Sequence, residues 1–192
     1  GGILCRCFYL MLVLTAYRFS ECRLMRWGWI DKNINAIVIP PDARKANKTR
    51  SENHIKPITP EIQNLLDFIK SLRLPPSDFV FQSPASITPK AISENSLREP
   101  FKAARTLAGT DLNLDYGRVF QHGIRSMAKT FILEKTGDPV AAEMALTHEA
   151  LTKIEKTYDL TNYTERVRDV LKQWTAYVMD NIPDNYLMPV SK

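Results

Sequence analysis

Glycine is scarce, with 7 residues in 192, and nowhere does it form the spaced loop that wraps nucleotide phosphates, so nucleotide binding of the familiar kinds is set aside. Cysteine is scarcer still. Cys5, Cys7 and Cys22 are the only three; an odd count with one C-x-C pair makes no disulfide framework, and zinc would need a fourth ligand at a spacing that is absent. The three read as buried, reduced thiols of a cytoplasmic protein. A membrane span is missing as well: the apolar run ILCRCFYLMLVLTAY is interrupted by Arg6 and falls short of the roughly 20 residues a span needs. It reads as a buried helix, and no membrane partner is expected. No internal repeat is found.

What is present suffices for a core. With 44% hydrophobic residues, the chain can form one large domain, or one domain and an appendage. Because GGILC enters the apolar helix with no polar lead-in, the sequence is expected to be one domain of a longer protein. The net charge of +5 is modest, so its placement matters more than its size. Much of it lies in PDARKANKTRSENHIK, residues 41–56, where Arg44, Lys45, Lys48, Arg50 and Lys56 face only Asp42 and Glu52. A basic Asn/Thr/Ser-rich loop between two strands suits phosphate; an ordinary exposed hairpin has the same look.

The periodicities predict a mostly helical α+β fold with a small antiparallel sheet. After the buried helix, TAYRFSECRLMRWGW resumes helical spacing, with a break at Thr15 and Ala16. INAIVIPP (34–41) reads as a strand, and HIKPIT (54–59) as its hairpin partner, demoted to an edge by Pro57. Helices follow from Pro60, across 93–108 around Pro100, across 122–136 up to Gly137, from Asp138 and Pro139 onward, and across 163–179. Residues 180–192 read as a tail, with Tyr186, Leu187, Met188 and Val190 as an apolar plug or a frayed terminus.

Within QHGIRSMAKTF (121–131), helical spacing places His122, Arg125, Ser126 and Lys129 on one stripe and Ile124, Met127, Ala128 and Phe131 opposite, toward the core. Alone, an H-x-x-R on a helix is better read as a solvated face. The chain holds three other segments that change the weighing.

LTAYRFSECRLMRWGWID resembles the first signature of the tyrosine recombinases, or phage integrases: threonine, glycine, any residue, arginine, two residues, glutamate. HGIRSMAKTF resembles their His-x-x-Arg signature, ALTHE their Leu-Gly-His element, and KIEKTYDLTNY, with Tyr158 ten residues beyond His148, the place of their nucleophilic tyrosine. The resemblance runs from residue 3 to about 179 and is of the prophage or genomic-island type. Each motif is weak by itself, and the four in order are specific. Ala16 and Thr147 depart from it, each standing where the family has glycine.

The resemblance implies the tyrosine recombinase catalytic fold over residues 1–179 and a site made of Arg18, Lys48, His122, Arg125, His148 and Tyr158. In-line attack on a phosphodiester builds negative charge on the non-bridging oxygens, where fixed cationic donors act most strongly. Arg18, Arg125 and His148 take that role by the resemblance, the guanidinium fork being suited to paired phosphate oxygens. Tyr158 would attack to give a 3'-phosphotyrosine and a free 5'-hydroxyl; its ordinary pKa near 10 calls for a base, for which the family offers His122. The leaving 5'-oxygen takes a proton from a hairpin lysine, Lys48, with Lys45 in reserve. Arg44, Lys45, Arg50 and Lys129 are the expected DNA contacts. The resemblance implies no cofactor and no metal, double-stranded DNA carrying attachment sites as the partner, a homotetramer on DNA for the full-length protein, and a cytoplasmic setting.

Each residue has a plainer reading beside it. Arg18 and Glu21 could be an i,i+3 ion pair, although Glu21 is better read as a buttress of Arg18. His148 could be a helix cap, Tyr158 a core residue, and Tyr163 the nucleophile in its place. His54 reads as a strand residue without a role. Two other functions remain in view: a type IB topoisomerase, which shares the chemistry, and a DNA-binding module without catalysis, which would survive Tyr158→Phe unchanged.

Overall fold

The computed structural model describes residues 2–43, 53–72, 74–83, 86, 88–107, 123–146 and 160–187. Its elements run α1 (Ile3–Thr15), α2 (Phe19–Arg23), β1 (Ile30–Asp31), β2 (Ala36–Ile39), β3 (His54–Pro57), α3 (Pro60–Ser71), α4 (Glu94–Leu107), α5 (Ile124–Thr136), α6 (Pro139–Leu146) and α7 (Leu160–Asp180). This is the mostly helical α+β architecture with a small antiparallel sheet that the periodicities predict.

The apolar run at the start becomes α1, the central pillar. Leu4, Cys7, Phe8, Leu10, Met11, Leu12 and Leu14 are all buried, and no single face is polar because α2, α3, α4 and α7 pack around it. Long α7 contributes the stripe Val167, Val170, Leu171, Trp174 and Val178, all buried. The Trp174 indole donates to Val13 O (2.9 Å), pinning α7 beside the last turn of α1. Among the described residues, no helix is long and apolar enough to cross a membrane.

The sheet is a meander in the order β1-β2-β3. β3 is an edge, and Pro57 sits at its end opposite Ala36, where its missing N–H interrupts the ladder least. The register pairs Ile37 with Lys56 and Ile39 with His54. Cross-strand partners share a face, and Ile37 and Ile39 are fully buried, so His54 and Lys56 point inward with them. This corrects the placement of Lys56 in the exposed basic loop.

Several helix boundaries carry local capping signals, those at Asp138 and Gly137 as expected. Thr59 Oγ1 accepts from Ile62 N at the start of α3, Asp138 Oδ1 accepts from Val140 N and Ala141 N at the start of α6, and Gly137 closes α5 in the left-handed region at φ +64. Other expectations need correction. The helix expected through Tyr17 to Met25 is only the five residues of α2, followed by a 3-10 turn over Trp27–Trp29. Met127 does not face the core; it is 61% exposed, and the inward row of α5 is Ile124, Ala128 and Ile132 at four-residue spacing. Cys7 and Cys22 are buried but Cys5 is only partly so. Burial pushes the Cys7 thiol up to about 12, which keeps it protonated and unreactive. Past α7, Tyr186 and Leu187 lie against the chain's own core, and Arg6 Nη1 donates to Tyr186 O (3.2 Å). Met188 and Val190 lie outside the described residues.

Candidate active site

α1 ends at Thr15, and Ala16 turns the chain with φ +48 and ψ 31. A left-handed turn of this kind is costly for a residue with a Cβ, and it is where the resemblance expects glycine. The turn brings Tyr17 inward, fully buried, and leaves Arg18 as the N-cap of α2. Glu21, fully buried, holds Arg18 twice: Oε2 accepts from the Arg18 backbone N (3.0 Å) and Oε1 from Nη1 (3.1 Å). The Arg18 side chain keeps 31% of its surface exposed. It is therefore anchored at its base and on one nitrogen while its remaining donors can meet an anion. Glu21 is the buttress that the sequence suggests, and this buried geometry distinguishes it from a surface i,i+3 pair.

Arg125 leaves the first turn of α5 and reaches two helix ends. Its Nη1 donates to Ala16 O (2.6 Å) and its Nη2 to Leu146 O (3.0 Å). The carbonyl it holds on the α1 side belongs to the residue two before Arg18. Two arginines far apart in the chain thus share one small region, each oriented by fixed acceptors.

Lys56 lies beneath them. Its Nζ donates to Thr15 O (2.5 Å) and Ala145 O (2.6 Å) and stands 4.7 Å from the centre of the Tyr17 ring. Tyr17 in turn meets the buried His54 ring edge-on at 5.3 Å. Burial drives the Lys56 pKa well below the ordinary lysine value; the Arg125 charge lowers it further, Glu21 opposes this, and Arg18 adds to the depression. Neither His54 nor Lys56 stands out in the sequence as part of the site. The register of the hairpin is the signal that places them.

Lys129, an expected DNA contact, forms an ion pair with Glu143 Oε2 (2.5 Å) across α5 and α6, both side chains being partly exposed. Lys48, His122, His148 and Tyr158 lie outside the described residues, as do Arg44, Lys45 and Arg50; so does the side chain of Tyr163.

The fold and this pair of anchored arginines define a class: a mostly helical α+β domain that fixes two arginines in one small region. The chain belongs to the phage integrase family, whose profile matches residues 2–165. It is 28% identical over 173 residues to prophage integrase IntA of Escherichia coli strain K12, a match covering 90% of this chain and 38% of that protein. It is 25% identical over 173 residues to the integrase of Shigella phage Sf6 and to prophage integrase IntS of Escherichia coli strain K12, each match covering 90% of this chain and 41% of the relative. The chain thus spans about 40% of the length of the curated relatives it matches.

Proposed function

We propose that this chain is the catalytic part of a site-specific DNA recombinase acting in prophage or genomic-island integration, with residues 1–179 as its catalytic domain and 180–192 as a tail. The observation that carries the reading is the joint anchoring of Arg18 and Arg125. Arg125 holds the Ala16 carbonyl beside Arg18, and Glu21 holds Arg18 itself. Two guanidinium groups fixed in this way need little reorganisation when charge builds on a phosphate between them.

In the reaction, Tyr158 Oη attacks the phosphorus of one DNA strand. The Tyr158–phosphate bond forms as the bond to the 5'-oxygen breaks. His122 takes the tyrosine proton and Lys48 gives one to the leaving 5'-oxygen, with Lys45 as the alternative donor. Arg18, Arg125 and His148 hold the non-bridging oxygens. The phosphotyrosine conserves the bond energy, so a 5'-hydroxyl can reverse the step without ATP. Arg44, Lys45 and Arg50 supply backbone contacts; Lys129 joins them once it leaves Glu143. The full-length protein acts as a homotetramer on duplex DNA, in the cytoplasm where that DNA lies.

The test is a nicked suicide duplex that traps the cleaved strand, incubated with the chain in EDTA and run on a denaturing gel beside Tyr158→Phe. A DNA-linked protein band that disappears in Tyr158→Phe is the expected result. A band that persists in the mutant, or a wild type that gives none on any attachment-site duplex even within the full-length protein, overturns the reading. On the same gel Arg125→Ala should cleave about 10² to 10³ times more slowly, the scale of one lost oxyanion donor.

A further inference from the structure

We propose that Lys56 is a positioning residue of this site, which together with Arg125 ties the end of α1 to the end of α6 and so holds Arg18 and Arg125 in register. The inference rests on the reading of those two arginines as phosphate ligands.

Lys56 and Arg125 bind successive carbonyls on the same two strips of backbone. On α1 they take Thr15 O and Ala16 O; on α6 they take Ala145 O and Leu146 O. Those strips are the last residues of two helices, where carbonyls lose their intrahelical partners and the helix dipole is negative. Neither helix carries a basic residue in its own last turn. Two donor side chains from elsewhere, one on β3 and one on α5, supply the partners that both ends lack.

The arrangement is costly unless it does something. A buried amine loses its hydration, and an apolar side chain of similar length would fill the space beside Ile37 without that cost. Two donors are what the two carbonyls require, and a neutral amine has two, so the depressed protonation does not release the link. Removing Lys56 leaves two buried carbonyls to find new partners, and among the described residues Arg125 is then the only side chain that donates to both ends. The turn that carries Arg18 starts at the residue after Thr15. A shift at that point moves both the Arg18 backbone and the acceptor that orients Arg125.

The experiment compares wild type, Lys56→Met and Arg125→Ala by suicide-duplex cleavage, by DNA affinity, and by ¹H–¹⁵N spectra of the arginine side chains without DNA. Arg125→Ala assigns the Arg125 guanidinium signals, and Arg98 on α4 serves as the unaffected reference. The expected result is a folded Lys56→Met chain that binds DNA as wild type does, cleaves roughly 10²-fold more slowly, the scale of a 1 Å misplacement, and shows shifted or broadened Arg125 signals. A folded Lys56→Met that keeps either wild-type cleavage or wild-type Arg125 signals overturns the proposal. If Lys56→Met does not fold, Lys56→Gln is read the same way. Failure of both to fold makes Lys56 a structural pin only, which also overturns it. Wild-type cleavage by Arg125→Ala, or a wild type silent even within the full-length protein, would instead show that the reading of the site is at fault, while the spectra judge the link itself.

Discussion

A lysine buried among an arginine pair and a glutamate makes folding sensitive to pH in one direction. Its protonation is suppressed by burial and by Arg125, so the folded chain releases a proton that the unfolded chain keeps until about pH 10.4, the ordinary lysine value. Unfolding then takes up a proton, and stability rises with pH across the window from the depressed folded value up to about 10.4. Lys56→Met lacks this group. Urea midpoints measured from pH 6 to 10 should therefore show wild type gaining on Lys56→Met as pH rises, by at most about 1.4 kcal/mol per pH unit. Parallel curves would mean that Lys56 keeps an ordinary affinity for protons. Arg18 differs from it in kind: its charge meets the Glu21 carboxylate and still reaches the surface, so it can serve an external anion, whereas Lys56 serves only the chain.

At the scale of elements, the turn between α1 and α2 decides where Arg18 stands. Ala16 is fully buried with φ +48. Ala16→Gly relieves strain of about 1–2 kcal/mol but loses roughly 0.8 kcal/mol of methyl burial and about 0.5–1 kcal/mol to chain entropy, so its melting temperature should stay close to that of wild type. Ala16→Val should be destabilised by about 2–5 kcal/mol, since a β-branched side chain deepens the strain and overfills the core. Calorimetry separates the two, and equal melting temperatures for Val and Ala would refute the strain argument. Much at this scale is legible in the sequence. Helices with a clear apolar stripe, such as α3 and α7, and ends marked by Pro60, Asp138 or Gly137, follow from local chemistry that tertiary context does not override. What escapes is set by distant partners. β1 is two residues long, too short for any period to register. Met127 sits a third of a turn off the buried row, which only the packing of α5 on α6 and α7 defines. Lys56 looks like one more charge of the basic loop until its pairing with Ile37 turns it inward. Within the site, residue types and order point to Arg18, Glu21 and Arg125, but not to the two helix ends that orient Arg125.

Across the whole molecule, the proposed reading ties DNA binding to the same separation between inward and outward cations. Binding that rests on phosphate contacts releases counterions, so the logarithm of affinity falls linearly with the logarithm of salt, with a slope near −0.9 per neutralised phosphate. On the proposed reading, weak and steeply salt-dependent affinity is expected of a chain that spans about 40% of its relatives' length. Each outward cation that touches a phosphate contributes about one unit of slope. Lys45→Ala and Arg50→Ala should each reduce the slope by about one. Lys129→Ala should reduce it by less, because Glu143 already takes part of that charge. Lys56→Met should leave the slope at the wild-type value, because a fully buried amine bound to two carbonyls releases no counterion. Fluorescence anisotropy on one duplex from 50 to 300 mM salt distinguishes these cases. A slope that drops for Lys56→Met as much as for Lys45→Ala would mean that Lys56 turns outward to DNA, and that β3 does not hold the register that buries it.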